Sequence, residues 1–301
     1  MIKALSILIP AYNTVCTDIV KALQQQAERI GSLSYEIIVA EDGSTDKTAI
    51  ERNDSIRALP HCRHIIRKDN VGRAAIRNFL AANATHEWLL FVDCGLSSES
   101  EDYLEKYVLT ATPAPVIYGG CAVHADTNLT SSNLRYRYEK GSLDAHHAEM
   151  RQTRPYRNFR TCNFLVRKDI MEKIPFDERF RSYGYEDIEW GKRLRQEGIR
   201  ISHIDNVMLY NTLEKNEHFL QKTEEAMRTL HAFHNDLTGY SKLLGYYSKL
   251  QTLHITPCVT AAFSVLRPLM RHNLCGKNPS LLLFQMYKLG YFSSLMKGKI
   301  Q

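Results

Sequence analysis

Over the first 120 residues, short apolar runs alternate with stretches of helical periodicity. Leu5 to Pro10 is nearly all apolar and closes on proline, which predicts a strand covered on both faces. Thr17 to Ile30 has helical spacing, Tyr35 to Ala40 is apolar and β-branched, and Ser44 to Arg57 opens with polar capping residues. Arg63 to Arg67 predicts a weaker third strand, Gly72 to Ala82 a helix through its Ala, Ile and Leu spacing, and Trp88 to Val92 a fourth strand. Such alternation predicts an α/β domain with a mostly parallel central sheet. The second half is less regular. Val116 to Val123, Asn163 to Arg167 and Ile199 to Ile204 read as strands, and Glu214 to His234 as a long helix. Between the first two strands lies a polar segment, Asp126 to Thr161, too long for a structureless loop in a compact domain. Its arginines, Arg135, Arg137, Arg151, Arg154, Arg157 and Arg160, predict a positively charged flap.

In a mostly parallel sheet, ligands bind beyond the carboxyl ends of the strands, and the polar residues collect there. The first strand is followed by Ala11-Tyr12-Asn13 and the second by Glu41-Asp42-Gly43-Ser44-Thr45-Asp46. The third leads to Asn70-Val71-Gly72-Arg73 and on to Arg77-Asn78, and the fourth to Asp93-Cys94-Gly95. No G-x-G-x-x-G follows the first strand, which argues against a nicotinamide-binding domain, and no G-x-x-x-x-G-K-[ST] occurs, which argues against a P-loop ATPase. Carboxylates, Asn and Arg suit ribose hydroxyls, a base edge and a diphosphate.

A further helix is predicted to begin at Glu186-Asp187, with Ile188 and Leu194 as its buried stripe and Gly198 as its stop. Asp187 then lies in the first turn, where the helix dipole favours negative charge. Gly191, one turn on along the same face, is expected to leave open space beside that carboxylate. An ionised carboxylate facing a cleft is what general-base activation of a hydroxyl requires. Acidic residues also favour helix starts for stability alone, and this segment by itself supports both readings equally.

With 301 residues, 44% of them hydrophobic, the chain can bury a substantial core. It shows no secretory leader, and its seven scattered cysteines fit reduced thiols in a cytoplasmic protein. His61-Cys62-Arg63-His64 has the spacing of no common metal site and is read as structural. The net charge of +6 is uneven: after Asp236 there is no acidic residue but there are eight Lys or Arg, interleaved with Tyr and Phe. This composition suggests contact of residues 237–301 with an anionic membrane surface, the alternative being a helical appendage packed on the main domain. The division expected is a domain over 1–235 and a basic, aromatic-rich helical extension over 236–301.

Taken in order, Ser6 to Asn13, Ile38 to Asp46, Asn70-Val71-Gly72 through Arg77-Asn78, Phe91-Val92-Asp93, Asn163 to Val166, Phe176-Asp177 and Tyr183 to Asp187 resemble the inverting glycosyltransferases of family 2. The resemblance covers roughly residues 4 to 235. It implies a GT-A fold that binds a nucleotide-diphosphate-sugar donor and passes the sugar to a glycan or lipid-linked glycan, as in bacterial surface polysaccharide synthesis. It implies that Pro10, Tyr12 and Asn13 cup the base, which Asp42 contacts. Asn70, Gly72, Arg73 and Arg77 complete the donor site, and Asp93 holds the ribose or a metal-bound water. Asp187 is then the base, beside Glu186, and Mg²⁺ or Mn²⁺ neutralises the diphosphate. Nucleic acid is not an expected partner, and the expected location is cytoplasmic, peripheral on the inner face of the cell membrane.

The chain departs from the family at two metal positions. Gly95 replaces the second Asp of the Asp-x-Asp motif, and a customary histidine appears as Tyr210 or Asn211. Three readings follow: a metal held weakly through Asp93, charge neutralisation by Arg73, Arg77 or the Arg151 to Arg160 flap, or impaired catalysis. The alternative function is a non-catalytic nucleotide-sugar-binding or scaffold subunit.

Overall fold

The computed structural model describes residues 1–109, 114–123, 132–141 and 147–300. The chain divides into two compact units. The first comprises Met1–Ala122, Asp144–Arg181 and Trp190–Asn211; the second comprises Val123–Leu143, Ser182–Glu189 and Thr212–Gln301. Ten strands are described: β1 (Ala4–Ala11), β2 (Ser34–Asp42), β3 (Cys62–Arg67), β4 (Trp88–Val92), β5 (Leu96–Ser97), β6 (Val116–Tyr118), β7 (Cys121–Ala122), β8 (Asn163–Arg167), β9 (Ile201–His203) and β10 (Met208–Tyr210). The helices of the first unit are α1 (Thr17–Arg29), α2 (Lys47–Asp54), α3 (Arg73–Asn83) and α4 (Tyr103–Val108), then, after α5 (Leu134–Lys140) of the second unit, α6 (Ala148–Gln152), α7 (Pro155–Asn158) and α8 (Lys168–Lys173). Helix α9 (Glu186–Gln196) begins in the second unit and ends in the first.

The seven strands of the main sheet run β3-β2-β1-β4-β8-β6-β9. β1 to β4 are parallel, and β8 is antiparallel to both β4 and β6. The apolar runs explain the centre: β4 is buried throughout and β1 nearly so, as strands covered on both faces must be. The parallel order puts the carboxyl ends of β1 to β4 on one edge, where the polar residues were expected. α1, α3 and β4 fall within a residue of their sequence-based limits.

Val116 to Val123, expected as one strand, is two strands in different sheets: β6 joins the main sheet, and β7 pairs with β10 in a three-stranded sheet ordered β5-β10-β7. Gly119 and Gly120 make the break. A Cβ at Gly119 would come within 2.3 Å of the Tyr107 hydroxyl, and one at Gly120 within 2.9 Å of the Arg151 guanidinium. Asn163 ties this corner together. Fully buried, its Oδ1 accepts from Tyr103 at 2.7 Å and Tyr107 at 2.9 Å, while its Nδ2 donates to the Gly120 and Asn206 carbonyls at 2.8 Å. All of its amide capacity is used.

The expected flap is corrected for Arg135, Arg137 and Arg151, whereas Arg154 and Arg160 are exposed and Arg157 half-buried. Residues 126–131 and 142–146 lie outside the described residues; the remainder includes helices α5, α6 and α7. Arg151 is buried, donating to His203 and to the carbonyls of Gly119 and Ile204. Arg135 pairs with Glu214 at 2.8 Å, and Arg137 donates to the Pro279 carbonyl. These arginines fasten the fold because buried carbonyls and carboxylates demand donors.

The second unit is helical: α5, α10 (Asn216–Ala232), α11 (Lys242–Thr252), α12 (Thr256–Cys275) and α13 (Leu281–Met296). Asn133, Ser241 and Ser280 accept from amide groups three residues on and so start α5, α11 and α13. Phe219, Phe284 and Tyr138 form one aromatic cluster and Phe263, Tyr287 and Tyr291 another. Glu224 of α10 joins Arg267 and Arg271 of α12 and the Tyr287 hydroxyl of α13.

Candidate functional site

Four clusters sit at the carboxyl ends of β1 to β4. Asn13 adopts φ +48° and turns its amide oxygen onto the backbone N–H groups of Thr45 at 2.7 Å and Asp46 at 2.9 Å. Its own N–H donates to Ser44 Oγ at 2.9 Å. Asn13 therefore clamps the loop after β1 to the loop after β2, a task suited to Asn because it tolerates the left-handed region and bonds backbone locally. Tyr12 beside it is 50% exposed and presents its ring to solvent. Pro10 is the last residue but one of β1, half-buried and in register with Ala40.

Asp42 is buried, and its two carboxylate oxygens accept from the N–H groups of Val71 and Gly72, both at 3.0 Å. Asn70 Nδ2 donates to the Asp42 carbonyl. Burial pushes the Asp42 carboxyl above its ordinary value, opposed by those two amides. Each oxygen keeps a further lone pair for a ligand N–H. Gly72 leads into α3 with φ +89°, where a Cβ would lie 2.4 Å from the Arg181 carbonyl oxygen; Gly43, φ +67°, would put one 2.2 Å from Asn70 N. Only glycine fits either place.

Glu41 forms the third cluster, fully buried. It accepts from Asn53 Nδ2 at 2.8 Å and from Ser44 Oγ, and lies 3.3 Å from His64 Nε2. His64 Nδ1 is 3.2 Å from Asp54. The structural reading of His61 to His64 thus extends to a buried charge pair directly behind Asp42, which a lone Glu and a lone His 23 residues apart do not advertise in sequence.

Asp93 is the fourth. Its oxygens accept from Arg73 at 2.9 Å and Arg77 at 2.8 Å; the Arg77 side chain is 1% exposed, that of Arg73 39%. Next to it, the Cys94 thiol is pushed up to about 11 by burial and then by the Asp93 charge, so it is no nucleophile at neutral pH. A Cβ at Gly95 would meet nothing within 4 Å. The strand containing Tyr210 pairs with β5, and Asn211 donates its backbone N–H to the Gly95 carbonyl at 3.1 Å. Both departures from the metal motif therefore meet at one point. As a divalent-cation site this donor set does not fit: it offers one carboxylate already paired with two guanidinium groups. Among the described residues no group of three or more His, Cys, Asp or Glu is placed to hold a metal. An open cleft of ≈ 650 Å³ is lined by Arg67, Asn70, Asn78, Phe79, Glu178 and Arg181, on the outer side of α3. It includes neither Asp42 nor Asp93.

Glu186 and Asp187 belong to the second unit. The segment before them is held by α10: Tyr183 N–H donates to Glu225 at 2.8 Å, and Thr229 donates to the Tyr183 carbonyl at 3.0 Å. Tyr185 has φ +71°, a conformation that costs a bulky residue energy and that concentrates at functional positions. Glu186 is buried and Asp187 half-buried, with Asp187 Oδ1 accepting from Ile188 N–H. Two local expectations are corrected. Gly191 leaves no open space, since a Cβ there would lie 2.5 Å from the Tyr156 carbonyl oxygen. Ile188 is only half-buried; Trp190, fully buried and donating to the Ile174 carbonyl, anchors the helix with Leu194.

A model of glycosyl transferase family 2 matches residues 6–175, and one of the N-terminal domain of galactosyltransferase matches residues 142–219. The chain is 26% identical to glycosyltransferase AglE of Haloferax volcanii, over 67% of this chain and 65% of that protein. It is 25% identical to the chondroitin synthase of Pasteurella multocida, over 69% of this chain and 24% of the synthase. The chain thus spans less than two thirds of the length of either relative. Among solved structures, the mannosyltransferase PcManGT from Pyrobaculum calidifontis, in complex with GDP-Man and Mn²⁺, matches over 98% of this chain and 88% of its own, with a TM-score of 0.54 and 14% identity. That likeness shows the GT-A fold.

Proposed function

Because the chain belongs to glycosyl transferase family 2, we propose that it moves a sugar, with inversion, from a nucleotide-sugar donor to a hydroxyl of a glycan or lipid-linked glycan in bacterial surface polysaccharide synthesis. The observation that carries this reading is the convergence of Tyr12, Asn13, Asp42, Asn70 and Asp93 at the ends of four parallel strands, braced by Arg73 and Arg77. Relatives named for glycosyl transfer and chondroitin synthesis support the glycan class.

In this reading the half-exposed Tyr12 ring covers the base, while Asp42 and Asn70 shape the loop beside it. The acceptor hydroxyl passes its proton to the Asp187 carboxylate as its oxygen bonds to the anomeric carbon. The bond from that carbon to the diphosphate breaks, and its electron pair leaves on the diphosphate oxygen. One base on the face opposite the leaving group suffices for inversion. The charge that builds on the diphosphate falls to arginine. Arg73, the more exposed partner of Asp93, is assigned to it, since guanidinium groups bind phosphate oxygens in a fixed fork.

The second reading, a non-catalytic binding subunit, is favoured by Gly95 and Tyr210 at the metal positions. Calorimetric titration with UDP- and GDP-sugars, with and without Mn²⁺, followed by measurement of nucleoside diphosphate release on adding glycan and lipid-linked acceptors, separates the two. Release of diphosphate and a product of inverted anomeric configuration are expected. Donor binding with no release on any acceptor would establish the binding subunit instead.

A further inference from the structure

Helix α12 is inverted for a helix on a water-facing surface. Its charged residues, Arg267 and Arg271, turn inward to Glu224, and its buried positions are Thr256, Thr260, Phe263, Met270 and Leu274. At 100° per residue, Ile255, Cys258, Ala262, Val265, Leu266 and Leu269 fall on one stripe of the opposite face, and all are exposed. Val265 is 76% and Leu269 69% exposed. A globular surface helix puts its apolar stripe inward and its charges outward. The stripe from Ile255 to Leu269 runs for about 20 Å, a contiguous apolar strip of the kind that marks an interaction surface.

We propose that this face of α12 lies in the interfacial layer of an anionic phospholipid bilayer. Charge selects that occupant. The same helical bundle carries exposed Lys242, Lys249, Lys277, Lys297 and Lys299, and no acidic residue follows Asp236. A second copy seated on the strip would bring like charges together, whereas anionic headgroups complement them. The geometry favours lying on the bilayer over crossing it. Among the described residues no single helix is long and apolar enough to span a membrane; α11 and α12 reach that length and apolarity only as a pair, and the pair is bent by 116° where they meet at Leu253 to Ile255. One side of α12 is covered by Glu224 of α10, which pairs with Arg267 and Arg271, and by Tyr287 and Tyr291 of α13, which pack on Phe263, as in an interfacial helix with a single apolar face toward lipid. The proposal does not depend on transfer activity.

The full chain is sedimented with vesicles of phosphatidylglycerol and phosphatidylcholine, and with vesicles of phosphatidylcholine alone. Wild type should bind the anionic vesicles more tightly, and salt should weaken but not abolish binding, because the apolar strip contributes beside the lysines. Val265→Asp and Leu269→Asp should each weaken binding by about 10-fold or more, and Lys249→Ala by about 5-fold. Thermal melts confirm that these exposed substitutions leave the fold intact. The proposal is overturned if wild type stays in the supernatant at low salt, or if the Val265→Asp/Leu269→Asp variant binds as wild type does. It is equally overturned if wild type is a dimer that this variant dissociates, since the occupant is then a second copy.

Discussion

Replacing His64 by Gln tests whether the buried pair it forms with Glu41 holds in place the loop residues proposed to bind the donor. Burial disfavours the imidazolium, yet hydrogen bonds to Glu41 and Asp54 and their charges outweigh it, so the His64 pKa is raised. Burial likewise opposes ionised Glu41, but bonds from His64, Ser44 and Asn53 lower its pKa overall. The signs follow by linkage. The His64 contribution is complete below the ordinary histidine value of about 6.5 and disappears as pH rises through the raised native value. The Glu41 contribution is complete above the ordinary carboxylate value of about 4.3 and disappears as pH falls through its lowered native value. The pair is therefore fully charged on the weakly acidic plateau between them. The exposed Asp54 carboxylate is screened by solvent and contributes little beside the buried Glu41. Glu41 is completely buried, and stripping a buried carboxylate of its cation costs roughly 3–5 kcal/mol. Because Ser44 and Asn53 still donate to it, His64→Gln should cost about 2–4 kcal/mol in weakly acidic buffer, and less at alkaline pH where His64 is already neutral. Urea denaturation over a pH series reads this directly. Donor affinity should weaken as well, since Glu41 holds Ser44, which holds Asn13. A variant within about 1 kcal/mol of wild type on the acidic plateau, or one keeping the wild-type pH slope above the histidine range, would refute the reasoning.

Asp187→Asn should lower turnover by about 10²–10⁴ while calorimetry shows donor affinity unchanged; retention of more than about a tenth of the rate would remove Asp187 from the role of base. Glu186→Gln should be the milder change. Gly95→Asp should be accommodated, because the position is open, and should tighten Mn²⁺ binding and sensitise activity to chelators; unchanged Mn²⁺ affinity would show that the carboxylate does not reach a cation. Asn163→Ala leaves two tyrosine hydroxyls and two carbonyls to find new partners, at roughly 1–3 kcal/mol for each buried group left unsatisfied. Its denaturation midpoint should drop accordingly, and a loss below about 1 kcal/mol would mean that water replaces the amide.

Local pattern was enough for the strands and helices from β1 to β4 and their order. Apolar runs such as Leu5 to Pro10 and Trp88 to Val92 can be satisfied only by burial on both faces, and the gathering of polar residues at their ends then follows from the parallel sheet. The Glu186-Asp187 helix start and the stop at Gly198 were legible because each depends on neighbours within one turn. What tertiary structure alone decided involves partners far apart in sequence. Arg151 reads as one of six flap arginines until His203 and two carbonyls claim it. Gly191 reads as open until the α7 backbone fills the space. Asn13 reads as a ligand contact until Thr45 and Asp46 take its oxygen, and His64 finds its charge only in Glu41. In the basic tail the composition was plain, but which face of α12 carries the arginines was settled by Glu224. A buried carboxylate needs cations, so they turn inward and leave Val265 and Leu269 outside.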